Sequence, residues 1–231
     1  MKKRILSLLL CLCMAAALPG MALAAEAVPD PGTVVLDVST VGTGKSIVIT
    51  KDGYSAVPHS GGDIQALDDE GEDPPMEGLF KDLTLTGTGE GIMIIVASLP
   101  DGGSLTLENL EITGGPNGDP VLNIDLDLDV TETPTIHVKG SLTLTGEKPE
   151  NGGLASLLSG DVSLVSDDGG DIALTNSGAP VWDSNGQAGN SLRIADAGNV
   201  DIQGDGNEFC VLQGAASSGN AQALALNEEV T

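Results

Sequence analysis

A short alternating motif that returns along the chain limits what it can fold into. Ser104-Leu105-Thr106-Leu107 is followed by Leu110-Glu111-Ile112-Thr113-Gly114. Thr135-Ile136-His137-Val138 precedes Ser141-Leu142-Thr143-Leu144-Thr145-Gly146 in the same way. Asp161-Val162-Ser163-Leu164 leads to Asp171-Ile172-Ala173-Leu174, and Ser191-Leu192-Arg193-Ile194 to Val200-Asp201-Ile202. Each piece alternates apolar and polar residues, the period of a strand with one buried face. Gly and Asx residues stand between the pieces and supply tight corners.

A third, shorter strand completes each set. The candidates are Pro120 to Ile124, Gly153 to Leu157, Ala179 to Trp182 and Glu208 to Val211. Leu142, Ile172 and Val200 mark a period of about 30 residues, within the range of repeat architectures. Leu83 and Leu105 are closer together, which insertions at corners explain. One such three-strand unit has too little inward apolar surface to fold alone. Stacked units pair strand on strand and share one core. The expected fold is therefore all-β: a parallel β-helix, or solenoid, with three short strands per coil. Leu142, Leu144, Val162, Leu164, Ile172 and Leu174 point inward in this reading, and Thr143, Ser163 and Ala173 outward. An antiparallel β-sandwich also has short alternating strands, but the three-part repeat favours the solenoid. Disorder, suggested by the charge and the few aromatics, does not account for the period of two.

Before the repeats stands a leader. Lys2, Lys3 and Arg4 precede an apolar run from Ile5 to Leu18, and Ala22-Leu23-Ala24 offers a small-residue cleavage site. Residues 1–24 read as a secretory signal peptide, too short to span a bilayer comfortably. Leu10 before Cys11 excludes a lipoprotein signal, which needs a small residue there. Residues 25–80 read as an N-terminal cap or first coil. They include strands at Val34 to Val38 and Ser46 to Thr50, and the acidic run Asp68-Asp69-Glu70-Gly71-Glu72-Asp73 reads as a flexible loop. Residues 81–231 read as the parallel β-helix. Ala223-Leu224-Ala225-Leu226 alternates like another strand with no evident cap, as expected of a truncated array or of one that is released or held by a partner.

The full chain has a net charge of −25. The leader holds three of the nine basic residues and none of the 34 acidic ones, so the mature chain is more acidic still. This argues against nucleic acid and anionic lipid as partners and favours hard cations such as Ca2+. With the leader gone, Cys210 is the single cysteine, so no internal disulfide forms and a core role is expected for it.

The order of Ser141 to Gly146, a glycine-rich corner, then Leu154 to Leu157 resembles secreted right-handed parallel β-helix surface proteins of Gram-positive bacteria. That group includes carbohydrate-binding members similar in fold to pectate lyases. Ser46 to Tyr54 looks like the entry segment of such domains. The resemblance implies a right-handed coil, location at the cell surface, and binding of polysaccharide of acidic or plant type with calcium held by acidic side chains. No specific motif matches, so no binding residue is carried over.

Two acidic groups are candidate calcium ligands. Asp125, Asp127 and Asp129 alternate with apolar residues and share one strand face, neighbours about 7 Å apart. Asp167 and Asp168, with Asp171 beyond two glycines, occupy a corner able to wrap an ion. Asp205-Gly206-Asn207-Glu208 is a weaker example. A solvated face and ordinary Asx-Gly turns are the plainer accounts of these groups. Trp182 reads as a corner plug or as a platform for stacking a sugar. His59 and His137 stand far apart, which disfavours zinc, and no nucleophile-elbow motif supports a serine triad. Arg193 is the sole arginine after the leader, a poor complement for a lyase. The expected protein is a secreted, non-catalytic, monomeric, carbohydrate-binding or adhesin-like β-helix without a membrane span. A structural spacer is the alternative, and a polysaccharide lyase the third reading.

Overall fold

Alternation of one apolar and one polar residue puts a strand's side chains on opposite faces, and here it builds two sheets that share one interior. The computed structural model describes residues 32–59, 79–126, 132–146, 156–184 and 191–205. All of these lie in one compact unit, Gly32–Thr231. They form fourteen strands and two short 3-10 turns, with no α-helix among the described residues. No helix among them is long and apolar enough to cross a membrane.

The first sheet contains β1 (Thr33–Asp37), β4 (Asp82–Glu90), β6 (Ser104–Thr113), β8 (Thr135–Gly146), β10 (Val162–Ser166) and β13 (Leu192–Ala195), in that order. Alongside, β11 (Ile172–Asn176) pairs with β8, and β14 (Val200–Gly204) with β11. The second sheet runs β12 (Trp182–Asp183), β9 (Leu158–Ser159), β7 (Leu122–Ile124), β5 (Ile92–Val96), β2 (Lys45–Thr50) and β3 (Gly53–Pro58). Every pairing is parallel except the β2–β3 hairpin, which is antiparallel. The chain crosses from one sheet to the other and back, and each return pairs beside the last.

In-register pairing lines up like side chains. Leu110, Leu142, Ile172 and Val200 form one inward column, as the sequence period anticipates. Ile112, Leu144, Leu174 and Ile202 form the next. The second sheet contributes Ile47, Ile94, Leu122, Leu158 and Trp182 in one column. These residues belong to one continuous core. The six residues expected to point inward are all buried, while Thr143, Ser163 and Ala173 are half-buried on the opposite face.

The expected third strands differ in detail. Pro120 to Ile124 shortens to Leu122–Ile124. The strand expected at Gly153 to Leu157 is Leu158–Ser159, and the one at Ala179 to Trp182 is Trp182–Asp183. Two or three residues are too few for alternation to fix a boundary. The strand candidate at Glu208 to Val211, Cys210, the acidic run 68–73 and the alternating segment near 223 lie outside the described residues. Residues 33–58 supply a strand to the first sheet and two to the second, with the antiparallel β3 on the outer side of β2.

One corner of the first sheet opens stepwise. Thr86 and Gly87 of β4 are adjacent where β6 has Asn109 inserted and β8 has Gly140 and Ser141. At the next return, residues 167–171 intervene and the strand divides into β10 and β11. Asn109 takes φ 46° and Gly140 φ 68°, left-handed conformations that asparagine and glycine tolerate best.

At the start of the fold, the Asp37 carboxylate accepts the Ser39 N–H at 3.0 Å. Hydrogen bonds from Ser39, side chain before backbone, hold this carboxyl below its usual range. A depressed carboxyl contributes stability above the unfolded-state value and loses it as pH falls through the folded one. An NMR pH titration should place the Asp37 midpoint below that of the same carboxyl in the unfolded chain; a midpoint at or above it would contradict the cap.

Candidate functional site

Carboxylates beside glycine corners can face an ion or the backbone N–H groups of the corner itself. Here the described ones face N–H and hydroxyl groups of neighbouring returns. Asp168 accepts the Gly140 N–H through both oxygens, at 3.1 and 3.0 Å, and its own loop's Gly170 N–H at 3.1 Å. Asp171 accepts both the backbone N–H and the side-chain amide of Asn199, at 3.1 and 2.7 Å. Asp167 meets the His137 ring at 2.7 Å. Three carboxylates that are near in sequence are thus spent on three different partners. Asp125 is exposed just after β7, and Asp127 and Asp129 lie outside the described residues. Among the described residues no group of three or more His, Cys, Asp or Glu side chains converges as metal ligands would.

Asp161, not singled out in the sequence, joins three returns. One oxygen accepts the Ser191 N–H and hydroxyl, at 3.1 and 3.0 Å, and the other accepts the Thr133 hydroxyl. Replacing Asp161 by alanine should cost about 1–3 kcal/mol, the range for leaving such donors unpaired. Urea unfolding measures it, and a loss under 0.5 kcal/mol would show the bridge to be incidental.

Trp182 is 8% exposed and its indole N–H donates to the Gly160 carbonyl at 2.9 Å. It is the last described member of an inward column, and at 8% exposure little of its indole is open to a stacked sugar. Arg193 is exposed on β13 opposite Ser163.

Two outward columns on the second half of the first sheet form a continuous polar face. Glu90, Thr113, Thr145, Thr175 and Gln203 are in register, and so are Thr88, Glu111, Thr143, Ala173 and Asp201. All are exposed or half-buried. Parallel strands set successive members about 4.8 Å apart. The face carries three carboxylates and no basic side chain. Next to it, at the opening corner, Lys139 pairs with Glu108 at 2.7 Å. That contact raises the Lys139 pKa, with smaller contributions from Asp168 and Asp167.

A second constellation lies where the second sheet meets the β6–β7 turn. Ser46 on β2 stands 2.9 Å from His59 Nδ1, and His59 Nε2 stands 2.6 Å from an oxygen of Asp119. Ser46 is 3% exposed; the His59 and Asp119 side chains are 8% and 30% exposed. The positions are fixed from three sides. Ser46 opposes Val57 across the hairpin and Met93 on β5, His59 follows β3 with its N–H bonded to the Gly44 carbonyl, and Asp119 closes a 3-10 turn beginning at Pro116. The two histidines that looked isolated in the sequence each have a carboxylate partner. Serine, histidine and aspartate here are separated by 13 and 60 positions, with no motif to join them.

No family model, curated protein or solved structure matches this chain.

Proposed function

We propose that the chain is a secreted, surface-associated protein that binds carbohydrate along the outward face of β6, β8, β11 and β14. The proposed architecture is a right-handed parallel β-helix, each passage through both sheets forming one coil. The observation that supports the reading is the register of that face. Thr113, Thr145 and Thr175 repeat hydroxyls at strand spacing, flanked by Glu90 and Gln203. A flat row of hydroxyl, amide and carboxylate groups suits an extended polymer that offers hydroxyls at intervals. Its acidity selects neutral chains, or acidic ones bridged by Ca2+.

The test is binding of the purified protein to neutral and acidic polysaccharides, with millimolar calcium and with chelator. Thr145→Arg, placed mid-face, should weaken binding at least tenfold, about 1.4 kcal/mol, with unchanged melting. Calcium dependence confined to acidic polymers would identify cation bridging. Absence of binding in every condition would remove this reading in favour of a structural spacer. The spacer has its own support, since Asp161, Asp168 and Asp171 serve to stitch returns together.

A further inference from the structure

We propose that Ser46, His59 and Asp119 form an ester-cleaving site that transfers short acyl groups to Ser46 and then to water. This does not rest on the carbohydrate reading. A carboxylate only accepts hydrogen bonds, so the 2.6 Å contact puts the imidazole proton on Nε2. Nδ1 is then a bare acceptor, and the Ser46 hydroxyl donates to it at 2.9 Å. Nucleophile, base and orienting carboxylate are in hydrogen-bonded sequence, as in a serine triad but with the two ring nitrogens exchanged, Nδ1 facing the serine and Nε2 the carboxylate. Sequence motifs do not define such a site; geometry does.

The chemistry closes without a cofactor. Ser46 Oγ forms a bond to the ester carbonyl carbon, and its proton passes to His59 Nδ1. The carbonyl π pair moves onto oxygen, giving a tetrahedral adduct. Collapse restores the carbonyl and breaks the bond to the alcohol oxygen, which leaves with the proton from Nδ1. Water then attacks the acyl-serine by the same path, releasing carboxylic acid and restoring Ser46. Asp119 is a positioning residue: it holds the tautomer and stabilises the imidazolium that forms in each half. Ser46 is 3% exposed, a burial that disfavours bulky acyl donors and makes acetyl esters the favoured class. Since β2 is paired on both sides, its N–H groups are engaged in the ladders and turnover is expected to be slow.

The experiment uses the full chain, a fluorophosphonate reagent and p-nitrophenyl acetate. Mass spectrometry should find the reagent on Ser46. Ser46→Ala should abolish labelling and lower hydrolysis at least tenfold. Asp119→Asn should lower the rate at least tenfold and change its pH profile, with melting temperature retained, an effect that a merely structural role would not produce. Hydrolysis should fall from acetate to hexanoate ester. Labelling on another residue, no labelling, or hydrolysis unchanged in folded Ser46→Ala would overturn the proposal. If Ser46→Ala does not fold, the labelled position in the unaltered protein decides. Because the probes contain no sugar, these outcomes are independent of the polysaccharide-binding test.

Discussion

Replacing Gly170 by alanine should lower the melting temperature by roughly 4–12 °C, which corresponds to about 2–3 kcal/mol in a chain of this size. A Cβ there would overlap the backbone carbonyl oxygen of Gly140 on the neighbouring return and crowd the Asp168 carboxylate. A carbonyl that belongs to an adjoining strand cannot rotate aside as a side chain can. The same contact brings Gly198 against Gly170, whose carbonyl accepts the Gly198 N–H at 3.1 Å. Displacing residue 170 therefore disturbs two neighbouring returns together. Gly32→Ala is the control: a Cβ at that position meets nothing within 4 Å, and its melting should stay within about 2 °C. Equal melting of the two variants would mean that the corner relaxes freely and that close stacking there is not required.

Leu144→Ala should cost about 2–5 kcal/mol, the range for removing a buried leucine side chain without full collapse of its site. Leu144 is 1% exposed and lies in register between Ile112 and Leu174. Both neighbours are fixed on paired strands, so neither can move far into the space left. Ile202 in the same column is only half-buried, and the described part of the column ends there. Ile202→Ala should therefore cost less than Leu144→Ala in denaturant unfolding. Similar losses at both positions would contradict a core built of ladders whose inner rungs are held from two sides.

Much of this ladder was legible in advance. Leu142, Ile172 and Val200 were set in phase by period alone, because a parallel strand that slips by one residue exposes its entire apolar set. The short strands of the second sheet were less legible: Leu158–Ser159 and Trp182–Asp183 are defined by their neighbours, not by their own pattern. Asp167, Asp168 and Asp171 were recognisable as corner residues. A sequence does not say whether a carboxylate turns toward an ion or toward an N–H, and Gly140 and Asn199 are its partners only after two returns are stacked. The hydrogen-bonded row of Ser46, His59 and Asp119 was hidden for the same reason. It joins a hairpin to a turn two strands away in the sheet, and none of the three residues carries a local signature.

The parallel register also governs how the molecule would carry mechanical load. Each strand is bonded to its immediate neighbours in the sheet order, so tension along the stacking direction falls on one set of hydrogen bonds after another. Returns pulled from an end would open in series, each releasing a short length of chain while those behind it hold. With the proposed coil architecture, extension would proceed in small steps and not in one event.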